Sequence, residues 1–119
     1  MHPRSPALAC IDARLRDDPG SLELGLDRAR LFVEAGRSDE AQAAYLELLA
    51  RAPDDVRALT DFGAFLLRGG LRAAARTVLE RALAIAPGAT LAHANLGHVL
   101  FAETDYAGAR AHYEAALAA

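Results

Sequence analysis

The sequence predicts an all-α fold of stacked helix pairs, about seven helices in a single domain. Three observations predict it. Pro19, Pro53 and Pro87 recur at 34-residue intervals. The same interval separates Ala41, Ala75 and Ala109, then Tyr45, Leu79 and Tyr113, then Leu49, Leu83 and Leu117, then Phe32, Leu66 and Leu100. Within a repeat the apolar residues step by three and four, as Ala41, Tyr45, Leu48, Leu49 and Ala52 do, which marks one face of a helix. One helix pair cannot bury such a face alone, so the pairs must stack.

Each element has its own signal. Residues 1–20 read as a half-repeat with one helix, capped by Ser5, with Pro6 at its first position and Ala7, Ile11 and Leu15 facing inward. In repeat one, residues 21–55, a first helix runs from about Ser21 to Ala35 and stops at Gly36. Ser38 is expected to cap the second helix, where Asp39 and Glu40 complement the dipole. Pro53 forbids its continuation, and the next helix starts near Asp54 or Asp55. Repeat two, residues 56–89, turns at Gly69-Gly70, and repeat three, residues 90–119, at Thr104-Asp105. Gly63 and Gly97, with Ala29 one period earlier, fall mid-helix. Glycine there costs about 1 kcal/mol relative to alanine, which implies a close neighbour.

Composition removes several function classes. The net charge is −3 and all 13 basic residues are arginine. That balance speaks against nucleic-acid binding, and the arginine usage reads as genomic base composition. No apolar run approaches the roughly 18 residues of a membrane span. Cys10 is the only cysteine, so no internal disulfide forms, and it reads as a small packing residue. The N-terminus turns charged too early for a signal peptide, which makes the expected compartment cytoplasmic. No phosphate loop, nucleophile elbow or dinucleotide fingerprint is present. His93 and His98 are five apart, not at the i,i+4 spacing of a helical metal site. His93 reads as half-buried and satisfied, His98 as facing a groove where it could contact a ligand, and His112 as lying on the opposite, convex side. No enzyme activity, cofactor or metal is expected.

The pattern resembles the tetratricopeptide repeat family. Repeat three carries it best, with His93, Leu96-Gly97, Leu100, Ala109, Tyr113 and Ala116. Repeat two gives Leu59, Phe62-Gly63, Leu66, Ala75, Leu79, Ala82 and Pro87. Repeat one gives Gly25, Arg28-Ala29, Phe32, Ala41, Tyr45, Leu48 and Pro53, and departs most. The resemblance covers residues 21–119 and implies a right-handed superhelical α-solenoid. It also implies that the first helices of successive repeats line a concave, peptide-binding groove. The groove residues it points to are Asp27, Arg30, Val33, Arg57, Asp61, Leu67, Asn95, His98 and Phe101. A third row holds Leu26, Thr60 and Ala94.

The expected role is therefore a protein–protein interaction module for a peptide or helical segment. Some family members clamp the C-terminal carboxylate of chaperones. Here the matching positions hold Leu26, Arg30, Asp61, Leu91 and Asn95, and Asp61 would repel that group. The alternatives are a recruiting segment of a larger bacterial glycosyltransferase- or sulfotransferase-type enzyme, or a small secretion-type chaperone. The last helix has no polar cap after it, so Leu91, Val99, Leu100 and Leu117 are expected to be partly exposed. That end is read as continuing in a longer protein or as a face for self-association.

Overall fold

The computed structural model describes residues 5–118. The calls on residues 1–4 and 119 lie outside them. Seven helices form among the described residues: α1 (Pro6–Asp17), α2 (Leu22–Glu34), α3 (Ser38–Arg51), α4 (Val56–Arg68), α5 (Arg72–Ile85), α6 (Thr90–Ala102) and α7 (Tyr106–Ala118). None is long and apolar enough to cross a membrane. The chain forms two compact units, Met1–Ala52 with α1 to α3 and Pro53–Ala119 with α4 to α7.

The helix ends show why the repeat folds as it does. Ser5, Ser21 and Asp55 each accept the amide three residues on, at 3.1, 3.2 and 3.0 Å. Asp105 does the same for Gly108 at 2.9 Å. Each satisfies an amide that the first turn leaves without a helical partner. Ser38 does not cap, contrary to expectation. It is the first residue of α3, and Arg37 precedes it as a cap position without a side-chain bond. There the Arg37 Nε instead donates to Glu40 at 2.5 Å.

The three turns inside the pairs share one geometry. Gly36, Gly70 and Thr104 hold left-handed φ values of 73°, 79° and 63°. The residue after each closes back on the helix, from Arg37 to Phe32, Leu71 to Leu66 and Asp105 to Leu100, all at 2.9 Å. This is the six-to-one closure that ends helices with a left-handed residue. Two of the three turns use glycine, for which that region carries no Cβ clash. Thr104 adopts it with a branched side chain, against a cost of about 1–2 kcal/mol.

Packing follows the small-residue columns. In the first unit Leu8, Ala29, Phe32, Ala41, Tyr45 and Leu48 are buried. In the second, Leu59, Leu66, Ala75, Leu79, Ala82 and Ala92 are among the buried residues, with α6 lying against α5, α7 and α4. A Cβ at Gly63 would stand 2.6 Å from Leu79, and one at Gly97 would stand 2.7 Å from the Tyr113 ring. The glycines are therefore the holes into which the partner helix presses its large residue.

Several expected positions differ. Leu8 anchors α1, Ala7 is exposed, and Ile11 and Leu15 are half-buried. Cys10 is exposed rather than packed. Val99 and Leu100 are buried between α6 and its neighbours, whereas Leu91 and Leu117 are 69% and 86% exposed.

Candidate functional site

The sequence-derived groove residues fall on α2, α4 and α6, the first helices of their pairs. In the first unit Asp27 and Val33 are half-buried and Arg30 is exposed, with Arg30 3.7 Å from Asp27 one turn away. In the second unit α4 presents Arg57, exposed, and Asp61 and Leu67, half-buried. On α6, Asn95 is half-buried, and His98 and Phe101 are exposed. Since α4 and α6 touch, the second unit brings these six residues onto adjoining helices. The row of Leu26 and Thr60 is no part of such a surface. Both are buried, at 4% and 7% exposure, because their direction points into the helix pair.

Two of these side chains lean toward α7. His98 is hydrogen-bonded through Nδ1 to the Tyr113 hydroxyl at 2.8 Å, with the rings edge to face. The Phe101 ring meets Tyr106 edge to face, with centroids 5.2 Å apart. Phe101 and Tyr106 open onto a small apolar recess of about 270 Å³ that Tyr113 and Leu117 also line. Tyr106 gave no signal in the sequence, since it stands outside the repeating columns. Its place directly after the α6–α7 turn puts it beside Phe101.

The histidines outside this face pair with each other. The Nδ1 atoms of His93 and His112 are 3.0 Å apart, and His93 Nε2 lies 2.7 Å from the Pro87 carbonyl. A carbonyl only accepts, so His93 carries its proton on Nε2. Its Nδ1 then accepts from His112, which fixes both tautomers in the neutral pair. Partial burial, then His93 and Arg76, hold the His112 pKa below the ordinary histidine value, against an opposing pull from Glu80. His112 thus meets α6 through His93, outside the face that carries His98 and Phe101. Among the described residues no group of three or more His, Cys, Asp or Glu side chains converges to hold a metal ion.

Arginines fasten the outer helices. Arg72 donates to the Ala102 carbonyl at the end of α6 at 3.0 Å, and Arg76 lies 3.5 Å from Glu103. Arg81 is paired with Asp54. In the first unit Arg28 donates to Asp12 at 3.0 Å and its guanidinium sits 4.9 Å from the Phe32 ring centre.

The sequence matches the family model described as tetratricopeptide repeat over residues 26–90 and 66–119. No curated protein matches it significantly. Among solved structures, one of MamA shares 20% identity with a TM-score of 0.78, covering 94% of this chain and 66% of that one. A second MamA structure gives 20% and 0.77, covering 94% and 61%. This chain therefore spans less than two thirds of the length of those two. The first TPR of Spaghetti, solved with an HSP90 peptide, gives 22% and 0.75, covering 81% and 76%. At these identities the likeness establishes the fold, an all-α helical solenoid.

Proposed function

The chain belongs to the tetratricopeptide repeat family, and from that premise we propose that it is a non-catalytic module that binds a protein segment along α4 and α6. The observation that carries this is the mixed face of those touching helices. Arg57, Asp61, Asn95 and His98 supply polar groups beside Leu67 and Phe101, and all six are at least partly exposed. Carboxylate and amide side chains suit the backbone amides of a peptide, and the apolar pair suits its anchors. Asp27, Arg30 and Val33 of α2 belong to the same repeat columns and are proposed as binding residues of the first unit. A solved neighbour holds an HSP90 peptide, which supports a peptide as the class of ligand. That particular peptide is not proposed for this chain, because Leu26 is buried and Asp61 carries a negative charge where a carboxylate would approach.

The test is a pull-down from the source organism's lysate. Wild type runs beside a variant carrying Arg57→Glu, Leu67→Asp and Phe101→Ala, with circular dichroism confirming the helical content of both. A protein held by wild type and lost from the folded variant supports the reading. Equal capture by both rejects this face.

A further inference from the structure

The first unit contains a cleft of about 810 Å³ that the proposed peptide face does not use. Leu15 and Arg16 of α1 form one wall, Glu47 and Arg51 of α3 the other, and Gly25 and Arg28 of α2 the floor. Its origin is visible in the 34-residue period. Gly25 and Ala44, which also lines the cleft, stand two periods before His93 and His112. In the second unit the imidazoles fill that place and bond each other. In the first unit Leu48, where the second unit has Ala116, covers Gly25 and takes the place of the first imidazole, while Ala44 offers a single methyl group and the space beside it stays open. Leu48 has moved in only as far as the bare backbone of Gly25 permits, since a Cβ there would stand 2.5 Å from it.

The lining has a definite chemistry. Three guanidinium groups face two carboxylates, and Asp12 is already paired with Arg28. Arg51 is held in place by its bond to the Pro19 carbonyl at 2.7 Å. Of the remaining lining, Arg16 and Arg51 outnumber the one carboxylate, Glu47. Arg28 already stacks over the Phe32 ring, which shows how these guanidinium planes receive an aromatic.

We propose that this cleft docks a partner segment bearing an aromatic side chain next to an acidic residue. The ring takes the place beside Ala44 that the His112 imidazole fills in the other unit. The carboxylate meets Arg16 and Arg51. This site is separate from the α4–α6 face and does not depend on it.

The chain has no tryptophan, so the emission of a tryptophan peptide reads binding alone. The full chain is titrated against acetyl-Glu-Trp-Asp-amide, acetyl-Gln-Trp-Asn-amide and, by competition, acetyl-Glu-Ala-Asp-amide. A saturable blue shift is expected with the first peptide, weaker by about tenfold with the second, and no competition from the third. Arg16→Glu, on an exposed residue, and Ala44→His, which restores the filling residue, are each expected to weaken binding by at least about fivefold. Leu67→Asp is expected to leave it unchanged. The proposal is overturned by an absent or unsaturable shift, by equal binding of the neutral peptide, by wild-type binding in both cleft variants, or by loss of binding on Leu67→Asp.

Discussion

The helices α1 to α3 and α5 to α7 are the same three elements 68 residues apart, and they solve one packing problem differently. In the later set, planar His93 of α6 and His112 of α7 bond each other, and Leu96 is buried one turn after His93. In the earlier set Gly25, Ala44 and Arg28 occupy those three positions. Leu48 covers Gly25 there, and a half-buried ion pair, Arg28 with Asp12, ties α1 to α2 instead. The comparison teaches that a repeat tolerates loss of its large packing residue when the neighbouring helix keeps one deep anchor. Here that anchor is Leu8, 1% exposed.

The sharpest way to break the comparison is to remove the anchor. Leu8→Ala is expected to cost about 2–5 kcal/mol, seen as a lower melting temperature and loss of the peptide signal from the cleft. Next is the small-residue column, where the two sets use different residues. Gly97→Ala drives a Cβ into the Tyr113 ring. It should cost about 1–3 kcal/mol by overpacking, outweighing the roughly 1 kcal/mol that alanine adds to a helix. In the first unit that position is already Ala29, fully buried. Denaturant melts of Gly97→Ala check this, and a stabilised variant would show that Tyr113 has room to move.

Arg28→Ala removes both the contact with Asp12 and the stacking on Phe32. About 1 kcal/mol is expected from a partly exposed pair and one ring contact together. A double-mutant cycle with Asp12→Asn separates the two. The smallest effect is that of pH. His112 titrates lower in the folded chain than in the unfolded one. Below the unfolded value of about 6.5 the unfolded state binds more protons, so stability falls as pH drops through the window down to the folded value. Above it the contribution is complete. Thermal melts between pH 5 and 7.5 should show this decline, and His112→Ala, which copies Ala44, should flatten it.

Much of the fold was legible because it rests on period. The spacing of Pro19, Pro53 and Pro87, the glycines at Gly36 and Gly70, and the cap at Ser5 are local signals. What escaped was set by direction across helices. Leu26 and Thr60 share a repeat column with Ala94, yet they point into the core by a rotation that the spacing does not resolve. Ser38 has the right chemistry for a cap, but the closing bond from Arg37 to Phe32 fixes the chain so that the helix begins on Ser38 itself. The cleft was least visible of all, because it comes from small side chains, at Gly25 and Ala44, and the meeting of His93 with His112 was hidden because it depends on direction across two helices. Of the candidate face, the sequence supplied Asp61, Leu67, Asn95 and His98 on their helices, but not Tyr106 as the neighbour of Phe101.

The left-handed Thr104 puts strain into a turn where the other two pairs have glycine. The helices it joins, α6 and α7, pack on each other more extensively than any other pair among the described residues. The strained residue is therefore held from both sides by packing that would be lost if it relaxed. Relief of this one turn by Thr104→Gly should add stability without moving either helix, since glycine takes the same backbone conformation at Gly36 and Gly70.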